Sequence, residues 1–305
     1  MTAPHRRAAV QAAAVLLPGA EAVALTVYES PVRLEHLLAT HATPTTSGDR
    51  AVADLRRVME NEALAVAREG TGLAAEGGLV AVAQTATTPG SAWPVILAEA
   101  TRRASAAIVC GTRGHGGLSR AWLGSTSSAL LHHGTLPILV VPERSPEPSG
   151  PLLLAYDGSE PARAAVATAA ELFEGRSAVV LHVWESPLKH SLSGRALRST
   201  RVTEIRDLTE DLDERLASSA HEQAEEGAEL ARQRGLEARA ASVESATGVW
   251  PALIEAARSI NAGVVAVGSR GRGAIASTML GSVSSGLVHN ADLPVLIVPP
   301  LSDTL

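Results

Sequence analysis

Short, wholly apolar runs alternate with longer amphipathic stretches through the second half of the chain. LLLAY (152–156) and GVVAVG (263–268) are apolar throughout. Such runs are too short for an ordinary helix and lack the in-out alternation of a half-exposed strand, so they predict strands covered on both faces. SAVVLHVW (177–184), the strand-like EARAASVE (237–244) and LPVLIVP (293–299) add further strands. The stretches between them have helical composition: PARAAVATAAELF (161–173), an Ala-, Glu- and Arg-rich segment from about Thr203 to Gly235, a helix opening near Val249, and a short one from Ser282 to His289. Strands that alternate with helices form a parallel sheet covered by helices on both faces, a doubly wound α/β layer.

The first half repeats this plan. Trp93-Pro94 recurs as Trp250-Pro251, and the same offset aligns Gly111 with Gly268, Arg113 with Arg270, Gly114 with Gly271, Gly124-Ser125 with Gly281-Ser282, His132 with His289, and Leu136-Pro137 with Leu293-Pro294. The chain is a tandem duplication. ERSPEPSGP (143–151) separates the copies and reads as an exposed linker, which gives domains at 1–145 and 146–305.

Composition narrows the functional classes. A net charge of -6 argues against nucleic acid or an anionic membrane as partner. Aromatic residues make up 2%, too few for base-stacking platforms. Cys110 is the single cysteine, so neither an intrachain disulfide nor a cysteine-built zinc site is available, which suits a reducing cytoplasm. Its place at the end of an apolar strand marks it as a small buried hydrophobe rather than a redox sensor.

Chemistry concentrates in a Gly-x2-Gly-x9-Gly-Ser element present in both copies, GTRGHGGLSRAWLGS (111–125) and GSRGRGAIASTMLGS (268–282). Each lies between an apolar strand and a helix. Glycines there are expected to take positive φ and to let the backbone approach a ligand, while the Gly-Ser pair opens a helix whose free N–H groups and dipole favour an anion. Arg113 and Arg270 are placed to donate charge-assisted bonds to phosphate. The alternative is a plain strand-to-helix turn with solvated arginines. No Gly-x4-Gly-Lys-Ser/Thr motif is present. GRGAIA (271–276) with Asp292 formally matches a dinucleotide fingerprint, but it follows the fourth strand, and the first copy has Ser119 and Thr135 at the corresponding positions.

These loops, together with AYDGSEPARAA (155–165), LHVWES (181–186) and the closing LPVLIVP, resemble the universal stress protein family in its tandem form. The resemblance implies two tandem five-stranded parallel sheets of order 3-2-1-4-5, the adenine-nucleotide α-hydrolase-like arrangement. It also implies ATP, AMP or ADP, with or without Mg, held between the ends of the first and fourth strands, and pairing through the fifth strands, Leu136 to Val141 and Leu293 to Val298. Such pairing would make an intramolecular pseudo-dimer, with a homodimer as a further option. Carried over position by position, Tyr156 and Val183 would line the adenine pocket, Ala155 would belong to the same cofactor-binding site, and Asp157 would hold the nucleoside. Gly268, Arg270, Gly271, Gly281, Ser282 and Val283 would hold ribose and phosphates. The other reading of Asp157 is a helix N-cap shared with Gly158 and Ser159. Gly111, Arg113, Gly114, Gly124 and Ser125 form the matching set in the first copy, which has no counterpart of Asp157 and is expected to take a bare anion or nothing.

MTAPHRRAAVQAAAVLLPGAEA, at the start, imitates a secretory signal peptide. Placing VYESP (27–31) on VWESP (183–187), however, lays Ala8 to Leu17 over Ala164 to Phe173, the first helix of the second copy. The stretch is therefore expected to be a helix of a folded domain, and Met1 falls where the second copy has Asp157. The first domain is expected to lack its first strand, either because the true start lies upstream or because this half is degenerate.

His132, His133 and His289 read as residues of helix C-terminal turns rather than metal ligands, and the charged segment 204–229 as a solvated face. The leading function is a cytoplasmic, nucleotide-binding stress or signalling regulator using mainly the second domain. A scaffold without nucleotide and a slow ATPase are the alternatives, the latter requiring a general base that no spacing identifies.

Overall fold

The computed structural model describes residues 4–29, 46–112, 123–146, 148–186, 202–271 and 280–300. The chain divides into two compact units, one of residues 1–136 and 141–144, the other of residues 137–140 and 145–305.

In the first unit, α1 (Pro4–Leu16) is followed by β1 (Glu21–Glu29), α2 (Thr46–Glu76), β2 (Val80–Thr88), α3 (Trp93–Arg102), β3 (Ile108–Gly111) and α4 (Ser125–His133). The apolar stretch that imitates a signal core is α1 itself, with Ala12, Ala13, Ala14 and Leu16 buried. Ala13 and Ala14 pack with Ala74 of α2 and Leu79, and Val109 of β3 joins the edge of that cluster. Strands β1 and β2 pair in parallel from Glu21↔Val80 to Glu29↔Thr88. Among the described residues these two form a sheet of their own, with β3 not hydrogen-bonded to β1. The inner residues of β1 are accordingly only half-buried.

One polar cluster ties α3 to this sheet. The Glu99 carboxylate accepts hydrogen bonds from Arg102 Nε at 3.0 Å, Arg103 Nε at 2.6 Å and Gln84 Nε2 of β2 at 2.6 Å. Bonds from Arg102 first, then Arg103 and Gln84, hold its carboxyl down at about 2. Because the folded value lies below the unfolded one, the stabilisation is complete above the ordinary carboxylate range and is lost as pH falls toward 2. Urea unfolding measured across this acidic window should therefore show a shallower pH dependence for Glu99→Gln than for the parent chain.

The second unit contains β4 (Ile138–Val141, through Val140), β5 (Leu152–Ala155), α5 (Glu160–Leu172), β6 (Ser177–Trp184), α6 (Val202–Gln233), β7 (Glu237–Glu244), α7 (Val249–Ser259), β8 (Val264–Gly268), α8 (Ser282–Asn290) and β9 (Val295–Val298). Its strands lie in the order β9-β8-β5-β6-β7, each neighbouring pair parallel. Leu152, Leu153 and Leu154 are at most 1% exposed, and every residue of β8 and β9 is buried, as expected of parallel strands covered on both faces. At the β7 edge Glu237 and Arg239 are exposed, charges that discourage further strand addition. On the other edge β4 runs antiparallel to β9 in the register Ile138↔Ile297, Leu139↔Leu296, Val140↔Val295.

Helix α5 starts where Ser159 caps it, accepting a bond from Ala162 N at 3.3 Å, and it buries Ala162, Ala165, Val166, Ala169 and Ala170. Helix α6 lays an alanine stripe, Ala220, Ala224, Ala228 and Ala231, into the core, leaving its charged side in solvent. The linker is exposed at Glu143, Arg144, Pro146 and Ser149, as expected, but it is not loose. Pro148 is buried, and Arg176 donates to the carbonyls of Pro148 and Gly150 at 2.7 and 2.6 Å, pinning it to the second unit.

Candidate functional site

In the second unit the chain leaves β5 toward β6 on one side and returns as β8 on the other, so the carboxyl ends of β5 and β8 flank a topological switch point. Open α/β sheets place ligands there. The pairing Leu152↔Val264 to Leu154↔Ala266 sets these two ends side by side. The turn after β5 and the loop after β8 are thereby brought together: an added Cβ on Gly271 would lie 3.4 Å from Asp157 Oδ2.

Asp157 sits in a tight turn. Its Oδ1 accepts the Ser159 N–H at 3.0 Å around Gly158, whose φ is 76°. Ser159, not Asp157, is the N-cap of α5. The carboxylate thus uses one oxygen for the turn and presents the other to the loop after β8.

On the β8 side, Gly281 N donates to Ser269 O at 2.8 Å and Ser269 N to Val298 O at 2.7 Å, closing the stem of the loop. Helix α8 begins at Ser282 with Gly281 at its N-cap and no side chain capping it. Ser282 is exposed and Val283 half-buried beside it. The free N–H groups of this first turn and the helix dipole make a positive end. A Cβ on Gly281 would come within 3.4 Å of the Arg270 Cα, so Arg270 borders the same space. Among the described residues, the half-buried Arg270 makes no hydrogen bond or ion pair.

The described motif glycines, Gly111, Gly124, Gly268, Gly271 and Gly281, do not have positive φ; the described glycines that do are Gly19, Gly78, Gly158, Gly175, Gly235 and Gly248. Close approach is what requires glycine. Gly268 lies where a Cβ would be 2.7 Å from the Pro161 carbonyl oxygen, so its first duty is to let β8 pack against the start of α5.

Around the expected adenine pocket the placements are mixed. Ala155 ends β5, half-buried. Val183, half-buried and paired with Val243, stands on the part of β6 that runs beyond the end of β5. The Tyr156 ring turns into the protein: it is 3% exposed and its hydroxyl is bonded to Glu226 and Arg163, so it serves packing rather than an open pocket.

The first unit repeats the frame. Gly124 N donates to Thr112 O at 2.7 Å, Thr112 N donates to Val141 O at 3.0 Å, Gly111 ends β3, and Ser125 opens α4 behind an uncapped Gly124. Arg113 and Gly114 lie outside the described residues.

Two residues escaped the motif reading. Ser127 and Ser284, buried on α4 and α8, donate their hydroxyls to the carbonyls of Gly111 and Gly268, both at 2.7 Å. They fasten each helix to the strand before its loop, and their identical place in both copies was the available signal. Ser186, just past β6 in the repeated VYESP/VWESP element, is buried with no partner for its hydroxyl among the described residues.

Cysteine and histidines behave as structural residues. Cys110 is half-buried rather than the buried hydrophobe expected from its strand, and desolvation of its sulfur pushes the thiol up to about 11, well away from a reactive thiolate. His133 stacks on Trp93 at 4.5 Å, and His289 Nδ1 meets the Ser285 carbonyl at 2.7 Å. Asp292 pairs with Arg258 at 3.0 Å and precedes β9, at the end of the sheet away from the loop after β8, so it is not a dinucleotide acid. No group of three His, Cys, Asp or Glu among the described residues is arranged to hold a metal, and no described helix is long and apolar enough to cross a membrane.

The fold is thus that of a tandem α/β protein with a glycine loop at the sheet's switch point. A universal stress protein family model matches residues 4–142 and 149–299, and the chain belongs to that family. A universal stress protein of Mycolicibacterium smegmatis is 31% identical over 208 residues, 63% of this chain and 61% of that relative. One from Mycobacterium tuberculosis is 31% identical over 199 residues, 62% and 60% of the two chains. These matches therefore span less than two thirds of the relatives' length. The crystal structure of a universal stress protein from Archaeoglobus fulgidus superposes with a TM-score of 0.59 at 19% identity, covering 97% of this chain and 93% of that one, a likeness of fold.

Proposed function

We propose that the second unit binds ATP or a related adenine nucleotide between the ends of β5 and β8, and that the protein is a cytoplasmic stress or signalling regulator whose state follows that occupancy. The observation that carries this reading is a convergence of groups left unspent among the described residues: the Arg270 guanidinium without a partner, the start of α8 without a capping side chain, and the second Asp157 oxygen facing Gly271. Two of these suit phosphate and the third suits ribose hydroxyls. The choice of adenine rests on the family resemblance. Mg²⁺ would arrive with the phosphates and keep most of its water, with Asp157 a carboxylate placed beside them. Pairing of copies through the fifth strands, Leu136 to Val141 and Leu293 to Val298, belongs to the same proposal and rests on the family resemblance.

The function is binding rather than turnover. Calorimetric titration of the full chain with ATP should give about one site per chain, and Gly281→Val should remove it. A Cβ there already lies 3.3 Å from Ser269 O, and the valine methyls would fill the space before α8. No ATP binding by the parent chain would leave the scaffold reading in its place. Phosphate release above the Gly281→Val control would favour a slow ATPase.

A further inference from the structure

Asp157 adjoins a residue held from every side. The Tyr156 N–H donates to Leu181 O at 3.0 Å, and its carbonyl accepts from His182 Nδ1 at 2.8 Å. The hydroxyl donates to Glu226 Oε1 at 2.9 Å and accepts from Arg163 Nε at 3.2 Å, while Arg163 and Glu226 pair with each other at 2.5 Å. The ring lies flush on α6: a Cβ on Gly227 would be 2.7 Å from Tyr156 Cγ and 2.9 Å from Val180 Cγ1.

The other copy shows what the tyrosine adds. Gly70 occupies the matching place on α2, and a Cβ there would meet Ala24 at an ordinary 3.4 Å. In the second unit α6 therefore forms a fitted seat for one ring, built from a bare backbone position and an ion pair that brackets the hydroxyl. Helix α6 lies far from the glycine loop in sequence and contributes none of the ligand-facing groups. Its hold on Tyr156 reaches the site through a single peptide link to Asp157.

We infer that Tyr156, Arg163, Glu226 and Gly227 form a positioning cluster that sets the Asp157 carboxylate for ribose, so that recognition of the sugar hydroxyls depends on the seating of α6. The inference rests on the nucleotide reading. Phosphate groups are held from the β8 side and do not pass through this cluster. Displacing the ring moves the carboxylate by a fraction of an ångström, enough to spoil a directional hydrogen bond while leaving a helix-dipole contact intact.

The test compares ATP with 2′,3′-dideoxy-ATP by calorimetry on the full chain, for the parent and for Gly227→Ala, Tyr156→Phe and Glu226→Gln. The parent should prefer ATP about tenfold, the worth of one charge-assisted hydrogen bond. Each variant should bind the dideoxy ligand within about twofold of the parent but lose most of the preference for ATP, Gly227→Ala the most. The two variants that keep the ring volume carry the test should Gly227→Ala fail to fold. An unchanged preference, or equal weakening of both ligands, would overturn the cluster's role while leaving the nucleotide reading intact. If the parent binds no ATP, both fall together.

Discussion

Asp157→Ala should weaken ATP binding by about 10- to 100-fold while leaving the second unit folded. The size of the effect comes from what the carboxylate does in the free protein. Its Oδ1 holds the turn through the Ser159 N–H, a charge-assisted bond worth about 1.5–3 kcal/mol, and Ser159 goes on capping α5 without it. Its Oδ2 faces Gly271 and makes no hydrogen bond or ion pair among the described residues. A charged acceptor given to a ribose hydroxyl contributes about 1.5–3 kcal/mol, which sets the range. Asp157→Asn keeps an oxygen for the turn and loses the charge, so it should fall between the two proteins. Inorganic tripolyphosphate, which has no sugar, should bind Asp157→Ala at least as well as the parent because a negative charge has left the site. Unaltered ATP affinity in Asp157→Ala would remove the nucleoside half of the proposed function.

Legibility in the sequence depended on the range of the interaction. The strands of the second unit could be read almost to the residue because β5, β8 and β9 are buried on both faces, and an unbroken apolar run has few other interpretations. LLLAY overstates its strand by one residue: Tyr156 keeps a sheet-like bond to Leu181 but turns its ring into α6, a commitment that depends on Glu226, 70 positions away. The same distance hid the cluster behind Asp157. The glycines could be located but not interpreted, since a sequence does not separate the need for positive φ from the need for room. The linker looked exposed from its prolines and serines, yet Arg176, which holds it, lies in the turn after α5. Where the duplication repeated a residue its place in the fold was legible, as with Gly124 and Gly281, each the N-cap of a helix with no capping side chain.

Gly268 and Gly271 belong to one motif, and alanine at each should separate its two uses. At Gly268 the new Cβ would stand 2.7 Å from Pro161 O and 2.8 Å from both Pro161 C and Cβ. Two of those atoms are backbone, and all belong to the first turn of a helix whose alanine face is fully packed, so neither rotation nor a small side-chain shift relieves the contact. Overpacking of this kind costs about 1–3 kcal/mol, and alanine's reduced freedom in the unfolded chain returns less than about 1 kcal/mol of it. Gly268→Ala should therefore lower the urea midpoint with an unchanged slope and depress Tm by several degrees. At Gly271 the new Cβ meets, among the described residues, only Asp157 Oδ2, at a normal 3.4 Å, so stability should stay within about 0.5 kcal/mol. That methyl would nevertheless occupy the space between the carboxylate and the loop that the proposed function gives to ribose, and ATP affinity should then fall about tenfold. The opposite pattern, Gly268→Ala stable but unable to bind and Gly271→Ala unstable but competent, would mean that the ligand sits against α5 rather than between Asp157 and the start of α8.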